Sequence, residues 1–118
     1  MSYDTNNVFA KILRGEIPAK TLYEDDYAVA FPDIAPSAPT HVLVIPKGAY
    51  THYDDFLNRA GDAQIVGFFK AVRAVAQQLG VHEYRLITNN GESAGQSVHH
   101  FHVHILAGKK LGGLLPTD

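Results

Sequence analysis

From His99 to Ile105 the chain reads His-His-Phe-His-Val-His-Ile, so four of its seven histidines fall within six consecutive positions. From His100 onward, histidine and apolar residues alternate strictly. On a β-strand successive side chains point to opposite faces. Period two therefore sets His100, His102 and His104 on one face, roughly 7 Å apart. Phe101, Val103 and Ile105 share the other face and can pack under a helix. The row predicts a strand over Val98–Leu106 with a polar, chemical face and an apolar, anchoring one.

The remaining chain supplies the elements such a strand needs. Thr5 or Asn6 can cap a short helix over Val8–Leu13, which Gly15 ends and Pro18 keeps from resuming. Thr21–Glu24 and Tyr27–Phe31 read as two strands joined at the Asp25-Asp26 turn. His41–Pro46 is almost continuously apolar, as expected of a central strand covered on both faces. Asp54–Arg59 is read as a short helical turn. A long helix follows, with Asp62 as its cap and Gly80 as its stop. Ile65, Phe68, Phe69, Val72, Val75, Ala76 and Leu79 form its apolar stripe, with Val66 and Ala71 off it. Tyr84–Thr88 is a further strand. The expected fold is α+β: a mostly antiparallel five-stranded sheet, one long helix and a short N-terminal helix. It forms a single domain over 1–118, with 1–5 and 109–118 as tail segments.

Composition narrows the partners. A chain of 118 residues fits one domain with a modest core. Net charge is -2 with no basic block, so no nucleic acid polymer is expected as a partner. No apolar run reaches the length of a membrane span. The start, Met1-Ser2-Tyr3-Asp4, lacks the basic and apolar parts of a signal peptide. With no cysteine, disulfides and thiolate metal sites are excluded. A cytoplasmic location is the expectation.

Histidine titrates near neutral pH and serves as base, acid, nucleophile or ligand. Three neighbouring imidazoles repel one another when charged, which keeps the row mostly neutral near pH 7. A neutral imidazole attacks well when its other nitrogen donates a hydrogen bond that fixes the tautomer. Metal binding is the rival reading, because His-x-His on a strand can ligate zinc and catalytic zinc sites often use three histidines. The preceding loop, Asn89–Ser97, favours an anion instead. Its Gly91 and Gly95 allow main-chain N–H groups to approach a phosphate, and Gln96 and Ser97 add side-chain donors.

The segment Gln96-Ser97-Val98-His99-His100-Phe101-His102-Val103-His104-Ile105-Leu106 resembles the signature of the histidine triad superfamily, His-φ-His-φ-His-φ-φ with φ apolar. The resemblance extends from Val8-Phe9-Ala10-Lys11-Ile12 through Gly15–Ala19 and Glu24-Asp25-Asp26 to Gly108. It takes in Ala30–Pro36 and Ala38–Lys47, and it looks like the Hint branch of nucleoside phosphoramidases and purine-nucleotide-binding proteins.

The resemblance implies that His102 attacks the α-phosphorus of a nucleoside phosphoramidate or related ester. Water then cleaves the nucleotidyl-histidine and releases AMP or GMP. It assigns charge stabilisation to His104, Ser97 and loop amides, and places His41 beside His102 and His104. His100 supports the row, its carbonyl accepting from the nucleophile's other ring nitrogen. Asp33 matches the ribose-binding acid; taken alone, it reads as a turn residue after Pro32. Phe9, Ile12, Ile17, Phe31 and Ile34 match the apolar base pocket, and Asn89 a position near the leaving group. Gly95 and Gln96 complete the expected substrate-binding set.

No cofactor and no metal are implied. A purine nucleoside monophosphate or phosphoramidate is the expected partner, along with a second copy of the chain in a twofold dimer whose sheets join. A dinucleoside polyphosphate hydrolase, or a nucleotide-binding regulatory protein with residual hydrolysis, is the alternative. The chain departs from the pattern in three places. Asn7 and Ala10 stand where some relatives carry a zinc-binding cysteine pair. His99 replaces a frequent tyrosine and is expected to face away from the triad. The tail lacks an aromatic residue that some relatives place near the leaving group. His52 and His82 match nothing and are expected at the surface.

Overall fold

This computed structural model describes residues 2–114. Five strands make one sheet: β1 (Tyr23–Glu24), β2 (Ala28–Pro32), β3 (Thr40–Pro46), β4 (Arg85–Ile87) and β5 (Val103–Ala107). Their order is β1-β2-β3-β5-β4, and every neighbouring pair is antiparallel. Three helices join them: α1 (Val8–Leu13), α2 (Tyr53–Arg59) and α3 (Asp62–Leu79). The expected α+β architecture is the one observed.

The sheet has two covered faces, which is why β3 is apolar at nearly every position. On one face Ala28, Ala30, Val42, Val44, Val103 and Ile105 meet Phe56 of α2 and Phe68, Val72 and Val75 of α3. Phe101 lies in the same cluster, stacked on Phe56 at 4.8 Å between ring centroids. Burying each of these three phenylalanines contributes on the order of 2–3 kcal/mol before the entropy of ordering it is subtracted. On the other face a smaller cluster joins Phe9 of α1 to Val29, Phe31, Leu43 and Ile45. The triad histidines project towards that second face.

Several expected boundaries move. The last strand begins at Val103, not Val98, and Val98–His100 form a bend instead of strand. The register pairs Val44 with Val103, so a longer β5 would bring Phe101 opposite Pro46. Proline has no N–H for that ladder. The Phe101 N–H donates instead to the Tyr50 carbonyl at 2.8 Å. The alternation of faces survives the loss of strand geometry, since Phe101 stays in the helix-side core. The cap of α1 is Asn7, whose Oδ1 accepts from the Ala10 N–H at 2.8 Å, rather than Thr5 or Asn6. Gly61 precedes α3, and Asp62 is its first helical residue rather than its cap. An acid there still favours the positive end of the helix dipole. Gly80 closes α3 in the left-handed region at φ 74°, as expected. Within α3 the stripe is rotated slightly: Ala71 is buried, whereas Phe69 is 41% exposed.

Gly67 sits mid-helix in α3, where glycine costs about 1 kcal/mol relative to alanine. A Cβ there would lie less than 3.0 Å from three atoms of the Tyr27 ring. The glycine lets α3 approach the sheet closely at that point. Gly67→Ala is therefore expected to destabilise by about 1–3 kcal/mol despite its better helix propensity, because overpacking outweighs the propensity gain. Urea unfolding of the two proteins checks this; an alanine variant as stable as the parent contradicts the close-approach argument.

Candidate active site

A cleft of about 510 Å³ opens on the α1 side of the sheet. α1 contributes Val8, Phe9 and Ile12, and the turn after it contributes Ile17, Pro18, Ala19 and Lys20. Phe31 and Pro32 come from the end of β2, Asp33 and Ile34 from the turn beyond, and Leu43 from β3. Ser97, Val98, His102 and His104 close the other side. The size and the mostly apolar wall with few polar groups suit a small organic ligand. Ile34 is fully exposed at this rim, an apolar surface free to be covered by a ligand.

Hydrogen-bond partners decide the state of each imidazole. The His102 Nδ1 lies 2.7 Å from the His100 carbonyl, which can only accept, so Nδ1 carries the proton and Nε2 keeps its lone pair. The Ser37 N–H donates to His41 Nδ1 at 3.0 Å, so a neutral His41 carries its proton on Nε2. That nitrogen lies 2.9 Å from His104 Nδ1 and donates to it. A neutral His104 then carries its own proton on Nε2. The site thus holds one imidazole with a free lone pair beside another with a free N–H. Their ring centroids are 5.0 Å apart.

The sheet register explains how His41 reaches this pair. Leu43 faces His104 directly across β3 and β5. His41 shares the face of Leu43 two residues away and meets His104 on the diagonal. Asp33 Oδ2 approaches His41 Nε2 at 3.4 Å, and its Oδ1 accepts from the Ala35 N–H at 2.8 Å. Asp33 therefore both turns the chain after β2 and lines the cleft. Phe9 packs against His102, its ring perpendicular to the imidazole at 5.1 Å between centroids.

Burial holds the row neutral. It pushes His102 below the usual histidine range, although the His100 carbonyl and the Asp33 charge act the other way. His104 falls to about 4, through burial first and then the neighbouring His102 and His41. His100 also falls to about 4, chiefly because it is buried. Its Nε2–H donates to the Pro46 carbonyl at 3.1 Å.

Not every expected site residue lies in the cleft. His100 is buried beneath it, and His41 stands behind His104. Gln96, Gly95 and Asn89 do not line it. Gln96 is buried, its Nε2 donating to the Thr51 and Val98 carbonyls at 2.7 and 3.0 Å, while its Oε1 accepts from the Gly91 N–H at 2.9 Å. The Gly95 and Gln96 N–H groups donate within the loop, to Glu92 and Gly91. The expected direct donation from these two residues is thus corrected: their donors are engaged in folding the loop that presents Ser97. Gly95 supplies the turn at φ 103°.

His99 lines a second recess of about 430 Å³, which shares Val8, Ser97 and Val98 with the main cleft. His52 caps α2 through Nδ1, which accepts from the Asp55 N–H at 3.1 Å, and His82 is exposed, as expected. Sequence reasoning missed Thr88, whose hydroxyl donates to the His102 carbonyl at 2.7 Å. It also missed Tyr3, counted among the tail residues, whose hydroxyl lies 2.6 Å from His100 Nδ1. Neither position carries a periodic signal.

Among the described residues, Asp33, His41 and His104 bring possible metal-ligating atoms within 4.8 Å of one another. A site formed by the histidine row itself does not fit, because both ring nitrogens of His100 are engaged by Tyr3 and Pro46.

A neutral histidine pair of this kind, on a five-stranded antiparallel sheet above an apolar cleft, defines a histidine triad protein. The HIT domain family model matches residues 14–111, and the chain belongs to that family. It is 43% identical to the purine nucleoside phosphoramidase of Escherichia coli over 111 residues, covering 92% of each chain. It is 55% identical to an uncharacterised HIT-like protein of Azospirillum brasilense, over 97% of this chain and 95% of that one. Its fold is similar to that of a histidine triad protein from Clostridium difficile, with a TM-score of 0.83, 38% identity, and coverage of 98% and 100%. A HIT family hydrolase from Clostridium thermocellum gives a TM-score of 0.81 at 40% identity, covering 93% and 97%.

Proposed function

We propose that this protein hydrolyses purine nucleoside 5′-phosphoramidates through a covalent intermediate on His102. The observation that carries this reading is the His102 Nδ1–H bond to the His100 carbonyl, which leaves Nε2 as the free nitrogen of a residue lining the cleft. Nε2 attacks the α-phosphorus, a phosphorus–nitrogen bond to His102 forms, and the bond to the substrate's amine breaks. The amine nitrogen takes a proton from water as it departs with the bonding electron pair. A second water attacks phosphorus and gives its proton to the hydroxide so formed, the phosphorus–nitrogen bond breaks with its electron pair returning to His102 Nε2, and the nucleoside monophosphate is released. One difficult displacement becomes two easier ones.

The remaining residues serve charge and position. The His104 Nε2–H and the Ser97 hydroxyl donate to phosphoryl oxygens, where negative charge gathers in the transition state. His41 holds His104 in the tautomer that allows this. Phe9, Ile12, Ile17, Phe31 and Ile34 enclose the base without polar contacts to its edge, so adenine and guanine are both accepted. Asp33 accepts from the ribose hydroxyls with its remaining lone pairs. Asn89 is assigned to the leaving-group end of the substrate by the family resemblance alone, since it does not line the cleft. The similarity to the Escherichia coli phosphoramidase supports the substrate class. The homodimer is proposed on the exposed apolar residues Val66 and Phe69 of α3, with Tyr84 and Leu86 at the sheet edge formed by β4.

The test is turnover of adenosine 5′-phosphoramidate in excess EDTA. AMP and ammonia are expected in equal amounts, at a rate unchanged by the chelator. A folded protein that releases no AMP overturns the reading. Activity that disappears with EDTA and returns with added metal replaces it with metal-assisted chemistry at Asp33, His41 and His104.

A further inference from the structure

The hydroxyl of Tyr3 lies 2.6 Å from His100 Nδ1, with 97 residues of chain between them. The two rings meet edge to face at 5.7 Å. His100 is wholly buried, and the Pro46 carbonyl takes its Nε2–H at 3.1 Å. A neutral His100 protonated on Nε2 must accept at Nδ1 or leave that nitrogen buried without a partner, which is costly. Tyr3 supplies that donor. His100 is thereby gripped at both ring nitrogens, one by a strand carbonyl and one by the N-terminal segment. The same residue's main-chain carbonyl holds the His102 Nδ1–H at 2.7 Å.

We infer that Tyr3 is a positioning residue: by donating to His100 Nδ1 it fixes the residue whose carbonyl orients His102, making the N-terminal segment part of the catalytic apparatus. This rests on the function proposed above. Tyr3 lies outside the residues matched by the family model and touches neither cleft nor nucleophile directly. Its effect passes through His100. An unanchored His100 ring lets the bent segment Val98–His100 relax, and the carbonyl at its end moves with it. The His102 tautomer then loses definition, so the bound substrate reacts more slowly while the apolar cleft still holds it. The predicted signature is a loss in kcat rather than in KM.

Tyr3→Phe removes the hydroxyl and keeps the ring, which separates the hydrogen bond from the packing. One neutral hydrogen bond corresponds to about tenfold in rate, so kcat for adenosine phosphoramidate is expected to fall about tenfold with KM within about twofold. Imidazole ¹⁵N spectra provide a reading independent of activity. In the parent protein His100 Nδ1 should resonate as a hydrogen-bonded acceptor and His102 Nδ1 as a protonated nitrogen. In Tyr3→Phe the His100 signal should move toward that of a free acceptor, and the His102 ring proton should exchange faster with solvent. An active parent whose Tyr3→Phe variant keeps kcat within twofold overturns the inference. So do spectra in which His100 shifts but His102 does not. An inactive parent instead defeats the proposed function, and the His102 ring-proton exchange alone then decides whether Tyr3 positions that ring.

Discussion

His102→Ala is expected to lower the turnover of adenosine phosphoramidate by at least about a thousandfold while leaving AMP affinity within a few-fold. The reason is local. His102 presents its only lone-pair nitrogen at the cleft because the other ring nitrogen is bound to the His100 carbonyl. Alanine removes the proposed nucleophile but leaves the apolar cleft wall of Phe9, Ile12, Ile17 and Phe31 in place. Neither neighbouring imidazole of the row can substitute. His104 offers an N–H rather than a lone pair, and His100 is buried with both nitrogens engaged. Steady-state kinetics with AMP titration would measure both quantities. Rapid acid quench and mass spectrometry of the parent should detect one nucleotidyl group on the peptide carrying His102. Parent-like turnover by the alanine variant would move the nucleophile elsewhere.

The second large effect is on stability in mild acid. His100 has a folded pKa of about 4 against a reference of 6.5, mainly because burial disfavours its charged form. The unfolded chain binds a proton there below pH 6.5, and the folded chain does not until about pH 4. Stability is therefore full above 6.5 and falls as pH drops toward 4. The loss from His100 alone is on the order of 3 kcal/mol, a large share of a small domain's stability. His104, also near 4, adds to it in the same window. Asp55 contributes in a different window. Its hydrogen bond with Arg59 holds its carboxyl far below the usual range, so its contribution is lost only below the ordinary carboxylate pKa. Urea unfolding at pH 7.0 and 5.0 should show the midpoint falling, with a smaller fall in His100→Gln, where His104 still contributes. A parent midpoint that does not change between these two pH values would contradict the buried, neutral His100.

Much of the site could be read from sequence because local rules set it. Alternation over His100–Ile105 assigns faces, and those faces hold even where the strand itself ends at Val103. The unbroken apolar run of β3 announces a strand covered on both sides, which it is. The loop's role was less accessible. Gly, Gln and Ser before a histidine row look like a set of donors to an anion. Only the folded loop shows that Gln96 and the Gly95 N–H are already committed to Thr51, Val98, Gly91 and Glu92.

By itself, then, the sequence determined the fold class, the sidedness of the triad and the identity of the imidazole in the middle. These depend on near-neighbour geometry, where a period of two is enough. Tertiary structure alone decided the protonation of His41 and His100. Ser37 sets His41, and Pro46 and Tyr3 set His100, whereas the bond of His102 to the His100 carbonyl spans two residues and was expected from the sequence. A tautomer is fixed by whichever donor or acceptor arrives at each nitrogen, and two of those partners lie 54 and 97 residues away along the chain.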